Sequence, residues 1–454
     1  MLPWRGRTTP QRSDDSMTAT LLLTGFLVAI ILLMVLGMRV FYAILAVGVG
    51  GVAVMLGPSQ LRVLGGIMWE SSNSYILTSL PLFVLMAEIL MRGGVANVAF
   101  NAIARLLGAI PGGAAYANIV GSGVFAAISG SSVANAAALG TIAGPQMVRL
   151  GYSKRLTFGS IAAGGTLGIL MPPSSAMIIY GSLTGVSIGQ LFIAGIVPAI
   201  LVLTLFILLI ALWSVMRPQD VPRSVERIAL RSLPASLLDL IPVLSLIGFV
   251  LGGLYFGVFS PTEAGAGGVL GALLLVLLRR ALRLHDLWDA ALVTVSVTSM
   301  IVLIIAAASV LKYLLAYMQV PAELTRTISG LDIPLWGVML LISLLYFLLG
   351  MFVESVTLII LTIPLLYPVL LALKVDGVWL GVFLVLMIEI SLLTPPVGLN
   401  LFVLQRVQAG QTFGDVAIGS APFVVVLMIA TVLVYAFPEI ATWLPELARQ
   451  ARQR

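Results

Sequence analysis

The chain has 454 residues, 60% hydrophobic and only 9% charged, where a soluble domain carries about 25% charged residues. Apolar stretches of about 20 residues, enough to cross a bilayer, follow one another along the chain, so it reads as a multi-pass membrane protein with no soluble domain. The net charge of +6 sits in short loop clusters, the pattern of the positive-inside rule rather than of a nucleic-acid partner; no cysteine and one histidine, His285, exclude structural zinc, iron–sulfur and thiol chemistry.

Met1–Ser16 is a polar N-terminal extension, and Met17 is a candidate start. The apolar run Leu21–Leu36 follows Arg5, Arg7 and Arg12 but has no small-residue cleavage site after it, so it reads as an uncleaved span. Spans are expected at 20–36, 40–56 and 74–91, then an amphipathic piece at 93–108, a Gly/Ala/Ser-rich region at 112–148, a broken span at 156–183 and a plain one at 190–216. A basic linker, 217–235, is placed in the cytoplasm and separates a first half, 17–216, from a second, 236–437. The second half repeats the order: spans at 236–257, 263–278 and 288–318, a polar segment at 319–333, apolar pieces at 335–352 and 355–373, a broken span at 377–404 and a last span at 413–437, with a tail at 438–454. No lysine follows a glycine, which removes the Walker A route to ATP hydrolysis and leaves an ion gradient or a partner as the driving force.

The breaks are double prolines, Pro172-Pro173 and Pro395-Pro396, each with a proline 27 residues upstream of its first member, Pro145 and Pro368. All three pairs share an offset of 223 (368−145, 395−172, 396−173), as do Ser132 and Ser355. Proline removes a backbone donor and breaks a helix. Inside a bilayer the freed carbonyls persist only where protein, water or an ion satisfies them, and broken helices at matching places in two halves are the mark of a secondary transporter. Keeping the basic clusters on one side requires 112–148 to enter and leave by the same face, a re-entrant hairpin with its tip at Ser129–Ser132; by symmetry 335–373 is a second hairpin from the opposite face, with its tip at Gly350–Ser355. The expected fold is an all-α polytopic membrane protein of two inverted repeats, each with a re-entrant hairpin and a Pro-broken helix. This count leaves the C-terminus outside, against Arg449, Arg452 and Arg454.

Serine hydroxyls and bare carbonyls are hard oxygen donors suited to a hard cation. One sodium site is therefore expected from Ser129, Gly130, Ser131 and Ser132 with Gly168, Met171, Pro172 and Pro173, and another from Gly350, Met351, Glu354 and Ser355 with Thr394, Pro395, Pro396 and Gly398. Small residues at a tip also serve close helix packing, and Glu354 also reads as a carboxyl at the membrane edge. Asn135, Ser174, Asn400, Glu88 and Glu389 are candidates for the substrate path; Glu88 and Glu389 read equally as links between helices. The helix N-termini at the tips favour an acidic substrate.

Ser260-Pro261-Thr262-Glu263-Ala264, Gly168–Ser174 and the run Glu389–Val403, which holds Leu393-Thr394-Pro395-Pro396-Val397-Gly398-Leu399-Asn400, resemble the large membrane subunit (DctM type) of tripartite ATP-independent periplasmic (TRAP) transporters, over about 17–440. The resemblance implies an elevator-type carrier, not an enzyme, in the bacterial cytoplasmic (inner) membrane. It implies a sodium gradient as driving force, with Na+ as coupling ion and no other cofactor, and an imported organic acid of the dicarboxylate or sialic acid kind. It also implies a small four-helix membrane subunit and a periplasmic substrate-binding protein as partners. The alternative is a stand-alone sodium/dicarboxylate symporter of a related inverted-repeat fold.

Overall fold

A computed structural model describes residues 12–108, 110–222, 233–281, 283–330, 333–407 and 412–453. Most of the N-terminal extension, the linker stretch 223–232 and Arg454 lie outside the described residues. Every regular element among the described residues is helical. In chain order these are α1 (Arg12–Val35), α2 (Val40–Gly51), α3 (Leu61–Ser72), α4 (Ser79–Arg92), α5 (Val95–Leu107), α6 (Gly113–Ser129), α7 (Ser132–Arg149), α8 (Lys154–Leu170), α9 (Ser175–Thr184) and α10 (Ile188–Met216). They continue with α11 (Leu233–Tyr255), α12 (Pro261–Leu278), α13 (Leu284–Tyr317), α14 (Val320–Gly330), α15 (Leu335–Gly350), α16 (Ser355–Ala372), α17 (Gly377–Leu392), α18 (Leu399–Val407), α19 (Phe413–Ala436) and α20 (Glu439–Gln453). Among the described residues, eight stretches are long and apolar enough to cross a bilayer.

The chain divides into two compact units. The smaller comprises the described parts of Met1–Asn73, Met300–Ile342 and Ile360–Val375. In it α2 lies on the C-terminal half of α13, with Gly48 against Val310 and Leu311 and Gly51 against Leu314. Tyr313 donates its hydroxyl to Gln60 Oε1 at 3.0 Å.

The larger unit comprises Ser74–Ser299, Ser343–Ile359 and Asp376–Arg454. Its centre is α8, buried on all faces from Leu156 to Leu170. A helix enclosed on every side needs small residues where neighbours cross: Gly159 meets the backbone of Gly419 in α19, Gly164 meets Ser122 in α6, and Gly165 meets Ala136 in α7. Helix α17 is buried from Val378 to Leu392. Asp376 caps it by accepting the Val378 and Trp379 amides at 2.9 and 2.8 Å, and Trp379 Nε1 donates to the Val434 carbonyl at 2.9 Å. Ser260 and Glu263 form a capping box at the start of α12, the structural role their spacing suggests.

Two helices go beyond the sequence-based expectation. Residues 57–73 carry no assigned span, yet Leu61–Ser72 is helical with only Leu64 buried. The segment 438–454 reads as a tail, yet Glu439–Gln453 is an amphipathic helix that packs on α10 and buries Ala441 and Ala448. Both have a narrow apolar stripe that a search for continuous apolar runs passes over.

Candidate functional site

The larger unit twice brings a tight helix–helix tip against a helix break. At the first, α6 ends at Ser129 and Gly130 reverses the chain with a left-handed φ of +59°, a conformation that glycine adopts without steric cost. Ser131 caps α7 by accepting the Ala134 amide at 3.4 Å, and Ser129 Oγ donates to the Ser131 carbonyl at 3.4 Å. Opposite, α8 stops at Leu170, Met171 and the cis pair Pro172-Pro173 follow, and α9 resumes at Ser175. Ser174 clips this gap: its hydroxyl donates to the Ile169 carbonyl and accepts the Met177 amide. Tip and break are in direct contact. Ser175 donates its amide and hydroxyl to the Gly130 carbonyl at 3.3 and 2.9 Å. A Cβ on Gly168 would lie 2.5 Å from the Ser131 carbonyl oxygen.

At the second, α15 ends at Gly350 and α16 starts at Ser355. The Glu354 carboxylate closes the amide end of α16: Oε2 accepts the Val356 and Thr357 amides at 3.0 and 3.3 Å, and Oε1 accepts the Ser355 hydroxyl at 2.7 Å. Opposite, α17 stops at Leu392, Thr394 donates its hydroxyl to the Ile390 carbonyl at 2.7 Å, the pair Pro395-Pro396 is cis, and α18 starts at Leu399. The Gly398 amide donates to the Met351 carbonyl at 3.3 Å, and Gly350 abuts the Ser391 side chain. The two breaks differ in setting, since Pro172 and Pro173 are buried whereas Pro395 and Pro396 are exposed.

The electrostatics follow from helix polarity. The C-terminal ends of α6 and α8 converge at the first site and those of α15 and α17 at the second. Each such end carries unpaired carbonyls and about half a negative charge, so converging ends favour a cation. The N-terminal ends of α7 and α9 flank the first site and favour an anion; at the second, Glu354 already occupies the corresponding end of α16.

The candidates for the substrate path fall in different places. Glu88 is engaged on its own helix, with Arg92 Nε 3.3 Å away, and Arg92 also reaches Asp289 at 3.2 Å. Asn135 is fully buried and donates to the carbonyls of Ser122, Gly164 and Gly165 at 3.2, 3.1 and 3.4 Å. Asn400 is fully buried and donates to Ser132 Oγ at 2.8 Å and to the Ala162 carbonyl at 3.4 Å. The amide oxygens of both asparagines, and both carboxyl oxygens of the fully buried Glu389, have no hydrogen-bond partner. Sequence reasoning missed a further polar contact between α6 and α8, in which Asn118 donates to Ser160 Oγ at 3.1 Å. The buried hydroxyls Thr157, Ser160 and Thr166 in a helix flanked by apolar runs were the available signal.

Helices of this length and apolarity, interrupted where oxygens gather, define a multi-pass membrane protein. A family profile described as the tripartite ATP-independent periplasmic transporter, DctM component, matches residues 27–440, and the chain belongs to this family. It is 34% identical to the C4-dicarboxylate TRAP transporter large permease protein DctM of Pseudomonas aeruginosa, over 87% of this chain and 92% of that one. It is 31% identical to the ectoine TRAP transporter large permease protein TeaC of Halomonas elongata, over 92% and 97%, and 34% identical to the sialic acid TRAP transporter large permease protein SiaM of Vibrio cholerae, over 85% and 88%. The crystal structure of the Alcanivorax borkumensis YdaH transporter superposes with a TM-score of 0.57 at 16% identity, covering 85% of this chain and 91% of that one, which is a likeness of fold alone. The relatives are transporter permeases, and the protein is a multi-pass component of the bacterial inner membrane.

Proposed function

We propose that this chain is the membrane permease of a sodium-coupled importer, that a periplasmic substrate-binding protein delivers a small organic acid to it, and that a small four-helix membrane subunit completes the complex. The observation that carries the proposal is the doubled site, in which helix C-termini converge on a tip of serine and glycine oxygens. Neutral oxygens suit a monovalent hard cation, and the carbonyls of broken helices serve sodium in secondary transporters. The element starts support two repeats: α7 and α16 begin at Ser132 and Ser355, and α8 and α17 at Lys154 and Gly377, each pair 223 apart (355−132, 377−154). With inverted topology these repeats suit an elevator, in which sodium orders both tips before one domain moves with its substrate. The C4-dicarboxylate, ectoine and sialic acid relatives favour a carboxylate-bearing substrate. Because Glu354 fills the amide end of α16, the carboxylate is assigned to the N-terminal ends at the first tip.

The test is uptake into proteoliposomes holding this chain and its small membrane subunit. With an inward sodium gradient, uptake is expected only after the binding protein is added. Equal uptake without it would favour the stand-alone symporter.

A further inference from the structure

Helices α11 and α12 pack antiparallel, with Leu246 against Gly271 and Phe249 against Gly267. Beside this contact lies a groove of about 510 Å³, whose walls include Pro242, Ser245 and Phe249 of α11 and Gly267, Gly271 and Leu274 of α12. The two glycines stand one turn apart and carry no side chain, which leaves the depression. Phe249, Leu270 and Leu274 are exposed along it. Its one hydroxyl, Ser245, donates to the Pro242 carbonyl of its own helix at 2.9 Å, so the lining offers a ligand little but apolar surface. One end is different. Gly267, Gly271, Leu275 and Arg279 recur every four residues and share a face of α12, so Arg279 closes the row about 12 Å beyond Gly271. Arg280 and Arg283 follow in the connection to α13, and both are exposed. None of the three arginines makes an ion pair among the described residues. The neighbouring acid, Asp286, accepts the Arg283 backbone amide at 2.9 Å, and the cluster stays net positive.

We infer that the α11–α12 groove is a binding site for one anionic phospholipid of the cytoplasmic leaflet. An acyl chain lies along the groove over Gly267 and Gly271, and the phosphate sits on Arg279 and Arg280. The two ends of the site match the two ends of such a lipid. A chain of methylenes fills an apolar trough that has no donor or acceptor to spare, and burial of each CH₂ is favourable. A headgroup phosphate gives the arginines the anion they lack, in the forked geometry that guanidinium favours. The positive-inside rule sets this end of α12 in the cytoplasm, and basic clusters at that membrane surface attract anionic headgroups. A neutral apolar helix laid on the groove would fill the trough and leave all three arginines unmatched, so charge complementarity favours the lipid. The groove and Arg279, Arg280 and Arg283 all belong to the larger unit, so the site is complete within it.

The test titrates phosphatidylglycerol, and separately phosphatidylcholine, into the delipidated complex of this chain with its small membrane subunit, and counts bound lipid by native mass spectrometry. The unmodified complex is expected to bind one phosphatidylglycerol in preference to phosphatidylcholine. Arg279→Gln combined with Arg280→Gln should weaken phosphatidylglycerol about thirtyfold and remove the preference. Ser245→Trp keeps all three arginines and fills the groove from an exposed position, so the indole displaces no packed side chain; it should weaken phosphatidylglycerol about tenfold or more. Size-exclusion profiles establish folding, and either variant decides the matter if the other does not fold. Equal binding of the two lipids by the unmodified complex, or undiminished phosphatidylglycerol binding in either folded variant, would overturn the site. Release of the small subunit from the Ser245→Trp complex with lipid binding unaltered would also overturn it, and would assign the groove to a helix of that subunit.

Discussion

Gly168→Val should sharply raise the sodium required to drive uptake while leaving the protein folded. The added Cβ would stand 2.5 Å from the Ser131 carbonyl oxygen and 2.9 Å from the Ser132 amide nitrogen. Both neighbours are backbone, so no rotamer change relieves the clash, and the tip must lift from the break. Overpacking of this kind costs about 1–3 kcal/mol, or about five- to 150-fold in half-saturating sodium. The change is checked by uptake over a wide sodium range, with size-exclusion profiles to establish folding. A well-folded variant with unaltered sodium dependence would remove the first site from the account.

The second large effect is a gain in stability. Glu389 is fully buried in α17, and neither carboxyl oxygen has a partner. Each unmet buried polar group costs about 1–3 kcal/mol, and apolar replacement of buried polar groups is often neutral or stabilising. Methionine has a similar length and a good helix propensity. Glu389→Met should therefore raise the thermal midpoint in detergent. A clear fall would mean that the carboxyl is held by a partner such as a bound cation or water, and would support Glu389 as part of the transport path.

Much of the site was legible because its marks are local. A double proline cannot continue a helix, so the ends of α8 and α17 followed from Pro172-Pro173 and Pro395-Pro396 alone. The shared offset then pointed to Ser132 and Ser355, where α7 and α16 begin. What was not legible depends on contacts between distant segments. Asn400 and Ser132 are 268 positions apart, and no periodicity in one helix says which side chain of another it meets. Glu354 read as a carboxyl facing a cavity or a cation; the fold also sets it against the amides of α16, a capping contact that depends on where the helix starts. Helices α3 and α20 escaped because an amphipathic helix needs only a stripe of apolar residues, and Arg62, Glu70, Pro445 and the tail arginines break any continuous run.

The most direct test of the central claim is substrate uptake by the reconstituted complex under an imposed inward sodium gradient, for the unmodified chain and for Ser131→Ala and Thr394→Ala. The account predicts uptake that collapses when sodium is replaced by potassium, and a sodium requirement raised in both variants. Equal uptake in potassium, or an unaltered sodium requirement in both variants, would contradict it.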